Sequence, residues 1–577
     1  MYIQTSKSQI KGKTYECRTV RESYRTPQGP RSRLICNISK LPEYVQDAIA
    51  ALLKSDSALV DSEALGLAEA CDFGGINVLH DAWERFGLER ILSGIEDEKQ
   101  RGRIKSMVFG RILFPGSKLS LQSRAAGTAL AASCALQEED LQEDLLYSAM
   151  DTLNGNWVAV EKGLYAEAFA EQDVTLVLYD LTSSYFEAQG PAHLAQYGHS
   201  RDHRADRRQM ILALACDSAG VPIHMEVLNG NRADSTTLLP LLATLRRRFG
   251  IKNAIFSFDG GMSSRLNLQQ MRDDELDYVT RLSSSTFLSL LHELPTDCQP
   301  ELWDRDRLGE FELNGTRYIV AGSEFRRHRD VERRECRIQK ALAALEKFNS
   351  ACRKKVDEQK LASSVGRTLE RLKAHKYFDF RIETNGHCAW SLREEVIADE
   401  SRLDGWYLLT TTVSAAAAPK ETVFRHYRNL LEVEDAFREV KTYLEMRPIF
   451  HYRIDRVRNH IRLCFLAYWI SARLKREWNA LQETREVPLV LRELQQIRIG
   501  KLRLGKKPAK ALMTDIPRKL NATLVKLNLL SLFQTIPSGQ CSKNFPLLEQ
   551  DSAIFSGSQA TARFRERIAN STPAPSI

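Results

Sequence analysis

The sequence predicts an α/β protein, a sheet-based core interrupted by a β-containing insertion and preceded by an α-helical N-terminal domain. Three observations carry that expectation. Residues 174–179 (Val-Thr-Leu-Val-Leu-Tyr) are a continuous β-prone apolar run, the pattern of a strand buried on both faces. Residues 254–258 (Ala-Ile-Phe-Ser-Phe) form a second such strand. Between 41 and 163 the apolar positions instead recur three and four apart, as in 79–92 and 104–113, which is the helical period.

In chain order, residues 1–45 alternate apolar and polar positions around Thr26-Pro27-Gln28-Gly29 and read as a β-hairpin segment. Residues 46–165 form the helical domain, broken at Pro115-Gly116, with DNA binding or dimerisation as its expected role. The first core strand ends at Asp180. Residues 210–216 and 221–228, joined by Asp217-Ser-Ala-Gly220, make an antiparallel hairpin. Asp234 or Ser235 caps a helix through Leu238, Leu241, Leu242 and Leu245 that Gly250 stops. The second apolar strand delivers Asp259, and a short helix and a strand at 278–282 follow. This order of β, β-hairpin, α, β, α, β matches an RNase H-like core, placed at 170–283 and 402–480. An insertion at 284–401 carries hairpin turns at Asn314-Gly315 and Asn385-Gly386 around a charged helical stretch at 327–376. Acids and bases mix there, so it reads as a solvated helical pair rather than a binding surface. A strand at 405–413, a helix at about 420–446 ended by Pro448, and an amphipathic helix at 456–478 complete the core. A basic region at 481–550 and a Ser-, Ala- and Pro-rich tail at 551–577, expected to be disordered, follow.

Bulk properties narrow the function classes. A chain of 577 residues with 43% hydrophobic and 27% charged residues is a soluble, multidomain globular protein. Residues 1–14 are polar and lack the apolar core of a signal peptide. The longest apolar run, 463–470, is far shorter than a membrane span, so no membrane partner is expected. Eleven cysteines without a Cys-x-x-Cys pair indicate neither a zinc site nor a disulfide framework, and suit a reducing cytoplasm. The net charge of +8 is modest, so the placement of the bases matters more than their total.

Asp180, Asp259 and Glu434 are the candidate catalytic and metal-binding residues. An Asp at a strand end is also an ordinary turn or cap residue. Two of them in one β/α unit fall where ligands sit, outside the carboxyl ends of strands. Tyr427, Glu434 and Lys441 are seven apart and share a helix line flanked by Leu430, Leu431 and Phe437. A carboxylate on that apolar stripe faces the core and requires compensation by a metal ion, Lys441 or Arg438. Glu432 points about 200° away, with Arg428 and Glu439, and is expected to be solvated. Three acids of this kind suit Mg²⁺, and a pair of such ions can clamp both oxygens of an in-line phosphodiester displacement.

The loop His199-Ser-Arg-Asp-His-Arg-Ala-Asp-Arg-Arg208 offers Arg201, His203, Arg204, Arg207 and Arg208 as phosphate contacts near Asp180. Taken alone, the segment reads better as a solvated loop with internal Arg–Asp pairs. Residues 497–504 alternate basic and apolar types and, with Lys506, Lys507 and Lys510, suggest a basic hairpin or a solvated edge.

The motifs Tyr179-Asp-Leu-Thr-Ser-Ser-Tyr-Phe-Glu187, Arg201-Asp-His-Arg-Ala-Asp-Arg-Arg-Gln209, Gly230-Asn-Arg-Ala-Asp-Ser-Thr236 and Phe258-Asp-Gly-Gly-Met262 resemble those of insertion-sequence DDE transposases. The similar branch has a Tyr-Arg-Glu-Lys signature, with Arg, Glu and Lys three, seven and fourteen residues after Tyr. Tyr427, Glu434 and Lys441 fit it, and Arg447-Pro-Ile-Phe-His451 resembles its continuation. Leu430 stands at the arginine position, with Arg428 and Arg438 as substitutes, and Gly260 follows Asp259 where an arginine is usual. The resemblance implies two Mg²⁺ ions (or Mn²⁺) held by Asp180, Asp259 and Glu434, and a phosphate positioned by Tyr427 and Lys441. It further implies cleavage at terminal inverted repeats and attack of the freed 3′-OH on target DNA, by a homodimer in the cytoplasm or on the nucleoid, with no small-molecule cofactor. The alternatives are a catalytically inactive DNA-binding regulator and a nuclease without strand transfer.

Overall fold

The computed structural model describes residues 1–10, 13–54, 65–291, 293–294, 303–304, 307–350, 357–504 and 510–534. The expected tail at 551–577 lies outside them, as do Lys506 and Lys507. Two compact units are present, Met1–Cys71 with Arg498–Asp515, and Asp72–Ile497 with Ile516–Thr535. Among the described residues no helix is long and apolar enough to cross a membrane.

In the first unit, Tyr2–Ile10, Lys13–Thr26 and Gly29–Asn37 form an antiparallel meander rather than a two-stranded hairpin. The middle strand, 14 residues long, has both edges available and pairs on each side. Gly29 closes the second turn at φ +112°, a conformation that favours glycine. Arg498–Leu504 and Lys510–Met513 form an antiparallel pair, with Gly500-Lys501, expected as the turn of a basic hairpin, inside the first strand.

The second unit is built on an eight-stranded mixed sheet. Its strands are β1 (Leu176–Tyr185), β2 (Gln209–Cys216), β3 (Pro222–Asn229), β4 (Ile255–Phe258), β5 (Tyr278–Arg281), β6 (Gly309–Leu313), β7 (Thr316–Gly322) and β8 (Trp406–Thr411). Their order is β6-β7-β8-β5-β4-β1-β2-β3, with β1, β4 and β5 parallel and every other pairing antiparallel. β2 is buried along its whole length and β1 over most of its own, as continuous apolar runs require. Phe256 and Phe258 of β4 are fully buried, each stabilising by roughly 2 kcal/mol. The hairpin expected at Asn314-Gly315 forms, and its strands β6 and β7 extend the main sheet through β8.

The rest of the stretch between β7 and β8 comprises α1 (Glu324–Ser350), the helix Glu358–Arg371, a hairpin turning at Asn385-Gly386 and the helix Glu394–Arg402. They share a core of Ala341, Leu345, Val365, Leu369, Tyr377, Phe378 and Cys388. Beyond β8 come α2 (Lys420–Arg428), α3 (Leu430–Arg438) and, further on, α4 (Ile454–Ala480). α4 is buried along most of its length. Trp157 packs edge-on against Phe465 at 5.7 Å, and Phe86 against Trp469 at 5.9 Å, joining it to the N-terminal helices.

The single helix expected at 420–446 is interrupted. Asn429 breaks it between α2 and α3, and a π turn, Glu439–Tyr443, continues α3. A π turn accommodates an extra residue and rotates the succeeding side chains around the axis. This corrects one assignment: Glu439, expected on the charged face, is 4% exposed. Glu432, expected in solvent, is half-buried beside Gly220, whose Cβ position lies 3.6 Å from the Glu432 Cβ.

Burial raises the Glu439 carboxyl to about 7, reinforced by Glu486 and opposed by Lys475. Between pH 4.5 and 7 the unfolded chain ionises here while the folded chain keeps its proton, so stability falls as pH rises and the loss is complete above 7. Glu439→Gln is therefore expected to be more stable than the parent at pH 8, by on the order of 2 kcal/mol, and nearly equal to it at pH 4. Thermal denaturation at both pH values measures this. A parent–variant difference independent of pH would exclude the buried acid as its source.

Candidate active site

β1 and β4 run parallel in a register that sets Leu176 beside Ile255 and Tyr179 beside Phe258. The next residues on the two strands are Asp180 and Asp259. Asp180 is not at the end of its strand, as the apolar run suggested, because Leu181-Thr-Ser-Ser-Tyr185 continues to pair with β2 as far as Gln209. β4 is the strand that stops, at Phe258, so the parallel layer ends where the two acids meet.

Asp259 starts a 3₁₀ turn, Gly260–Met262. A Cβ on Gly260 would lie 2.7 Å from the Arg281 carbonyl oxygen and one on Gly261 3.1 Å from Asp234 Oδ2. This tight backbone approach at the end of β5 explains why no side chain follows Asp259.

Asp180, Asp259 and Glu434 line one cleft of about 900 Å³. Glu434 is exposed to it instead of facing the core. Neither compensating cation considered from the sequence pairs with Glu434: Arg438 binds Asp435 at 2.6 Å and Lys441 binds Asp202 at 2.9 Å. Burial raises the Asp180 carboxyl to about 7 despite the Leu181 N–H, and the charges of Asp259 and Glu434 add to the effect. Burial and Asp259 likewise raise Glu434. The crowding of negative charge that raises Asp180 and Glu434 is one that a divalent cation would relieve, and hard oxygen donors suit Mg²⁺. Among the described residues no group of three Asp, Glu, His or Cys side chains is placed so that it could hold a metal ion, so the cleft brings the three acids together without a ready-made metal site.

Around the acids the cleft is basic, with Arg201, Arg281, Arg326, Arg329, Arg333, Arg428, Arg438 and Lys441 in its lining against Asp330 as the one further acid. Lys441 Nζ donates to Thr182 Oγ1 at 2.8 Å and to Asp202 Oδ1 at 2.9 Å, and Arg447 lies 3.2 Å from Asp202 Oδ2. Burial lowers the Lys441 pKa, while Asp202 supports its charge. Tyr427 also lines the cleft, its hydroxyl pushed up to about 12 by burial and by Asp259. Leu430, at the position where the resemblance calls for arginine, is buried.

The 199–208 loop divides. Arg201 reaches the cleft, its backbone N–H donating to Ser183 Oγ at 2.8 Å and its side chain pairing with Asp234 at 2.5 Å. His203, Arg204, Arg207 and Arg208 are absent from its lining. Arg204 pairs with Asp206 at 2.8 Å and covers the Tyr185 ring, Arg207 donates to the Glu187 carbonyl at 2.6 Å, and Arg208 lies over Tyr197. Sequence reasoning passed over Asp202, Arg281 and the three arginines of α1 that line the cleft, Arg326, Arg329 and Arg333. Arg281 had a signal, since it ends a parallel strand, as Asp259 follows the end of its neighbour.

A family model described as a transposase DDE domain matches residues 176–470, just over half of the chain, from the first residue of β1 into α4. No curated protein matches the sequence.

Proposed function

Because the chain belongs to the transposase DDE-domain family, we propose that it cleaves DNA at the terminal inverted repeats of its own element and joins the freed 3′-OH ends to a target duplex. The observation that carries this reading is the meeting of Asp180, Asp259 and Glu434 in a cleft whose remaining charges are overwhelmingly positive. Acids alone would repel DNA and bases alone would only bind it. Their combination suits a phosphodiester that is held and then attacked.

An RNase H-like core belongs to the same reading. Its support is the order of the five strands around the acids, in which β1 lies between the antiparallel hairpin β2–β3 and the parallel pair β4–β5. Asp180, Asp259 and Glu434 would hold two Mg²⁺ ions, which supply a lowered pKa for the attacking water or 3′-OH and charge stabilisation at the leaving oxygen. Lys441, held by Thr182 and Asp202, presents its ammonium to a phosphate from a fixed position. Tyr427 stays protonated and donates to the same group. Arg281, with Arg428 and Arg438, supplies the guanidinium contacts that Leu430 and Gly260 do not. A homodimer in the cytoplasm, engaging two element ends, completes the proposal.

The test is a nicking and joining assay on labelled duplexes carrying the element's ends, with and without Mg²⁺ or Mn²⁺. Metal-dependent cleavage followed by joining of the 3′ ends to a second duplex is expected. Cleavage without joining would reduce the protein to a nuclease, and binding without cleavage to a regulator.

A further inference from the structure

The mixed charges of α1 are sorted by the helix. At about 100° per residue, Arg326, Arg329, Arg333, Lys340 and Lys347 all fall within an arc of roughly 60°. Glu324, Glu332, Glu335 and Glu346 fall on a separate arc, centred about 120° away on the same count. The packed side, with Arg334, Ala341 and Leu345, takes a third direction. A linear count of acids and bases hides this separation, and from the sequence the stretch reads as a solvated pair.

The row begins in the active site. Arg326, Arg329 and Arg333 line the cleft that holds the three acids, whereas Lys340 and Lys347 lie beyond it. Arg326 is half-buried, packs over the Tyr407 ring at 5.3 Å and is only loosely paired with Asp330, at 3.5 Å. Arg329, Arg333, Lys340 and Lys347 are exposed, and among the described residues none of the four has an ion-pair partner. The helix is anchored at this end. Arg334 binds Asp404 through two bonds of 2.6 and 2.5 Å, both side chains nearly buried, and Asp330 accepts from the Gly405 N–H at 3.3 Å. Gly405 has φ +81°, and a Cβ there would sit 2.7 Å from Arg327 Cβ, so the helix rests directly on the turn into β8.

We infer that this face of α1 is a rail for the phosphate backbone of duplex DNA, along which the duplex runs from the active-site acids past Lys340 to Lys347. The inference rests on the DNA-cleaving reading above and extends it to a surface outside the cleft. From Arg326 to Lys347 the helix rises about 32 Å, close to one turn of duplex. Unpaired cations on a rigid, anchored helix suit a uniformly spaced polyanion better than a compact anion such as a nucleotide, which three adjoining arginines would already satisfy. The expected energetics are those of counterion release, in which each phosphate neutralised adds about 0.9 to the slope of log K against log salt.

The test is DNA binding by the full chain, measured by fluorescence anisotropy on duplex end substrates from 50 to 200 mM salt. Lys340→Glu with Lys347→Glu should weaken binding about tenfold or more at low salt and reduce the salt slope by between one and two. The milder pair Lys340→Gln with Lys347→Gln should shift both readings in the same direction by less, which guards against a folding defect in the first. Glu332→Gln with Glu335→Gln, on the acidic arc, should leave the slope unchanged. A parental affinity and slope in both lysine variants would overturn the rail while leaving the cleft's function intact. If the parent protein itself fails to bind the duplex, the DNA reading falls and the rail falls with it.

Discussion

Asp180→Asn, Asp259→Asn and Glu434→Gln are each expected to lower DNA strand cleavage by at least about 1,000-fold while leaving affinity for the duplex within a few-fold of the parent. The charge stabilisation that a carboxylate-held cation supplies amounts to several kcal/mol, and every 1.36 kcal/mol is a factor of ten in rate. Binding is expected to survive because the eight basic residues that line the cleft, not the acids, are the ones that offer charge to the phosphates of the proposed DNA substrate. Removing one acid from so repulsive a group should even tighten binding slightly when no metal is added. The three losses should also not multiply in double variants, because the acids act as one set. Single-turnover cleavage of labelled ends under saturating protein measures the effect. Retention of cleavage by any one variant would remove that residue from the catalytic set.

Asp202→Ala is expected to be the most damaging change outside the acids. Asp202 is 12% exposed and pairs with both Lys441 and Arg447. Its loss leaves two cations in a partly buried site without their anion, at a cost of about 3 kcal/mol. Lys441 would keep Thr182 but lose the partner that holds its ammonium toward the cleft. Cleavage should therefore fall together with thermal stability, whereas Asp202→Asn, with the same shape but no charge, should recover part of the stability and little of the rate. Equal melting temperatures for Asp202→Ala and the parent would show that the cluster does not matter to the fold. Unchanged cleavage would show that Lys441 is positioned by something else.

Much of the architecture was legible because the signals were local. Continuous apolar runs mark β1 and β4, the helix after β3 ends at Gly250 in a left-handed conformation at φ +72°, and Asn-Gly pairs mark two hairpin turns. The acids were legible because each follows or interrupts such a signal. Less was legible around them. The sequence placed Glu434 against the core and Glu432 in solvent, reasoning from an unbroken helix. Asn429 and the π turn at Glu439–Tyr443 break that helix and alter which side chains are buried. In the 199–208 loop the sequence offers both phosphate contacts and internal Arg–Asp pairs, and spacing alone cannot choose between them; the structure pairs Arg204 with Asp206 and brings only Arg201 to the cleft.

What the sequence determined by itself is the chemistry available and the strands that carry it: two aspartates on apolar strands, a glutamate seven residues after a tyrosine and seven before a lysine, and an excess of bases. Those are properties of residue type and short-range periodicity, which need only neighbours in the chain to be expressed. Tertiary structure alone decided which charges are free. The strand register sets Asp180 beside Asp259, Asp202 arrives from the loop to hold Lys441, and the clamp of Arg334 on Asp404 holds the start of α1 beside β8, where Arg326, Arg329 and Arg333 line the same cleft as the acids. The physical reason is that a charge in a folded protein is defined by its partner and its exposure, and both are supplied by segments tens to hundreds of residues away.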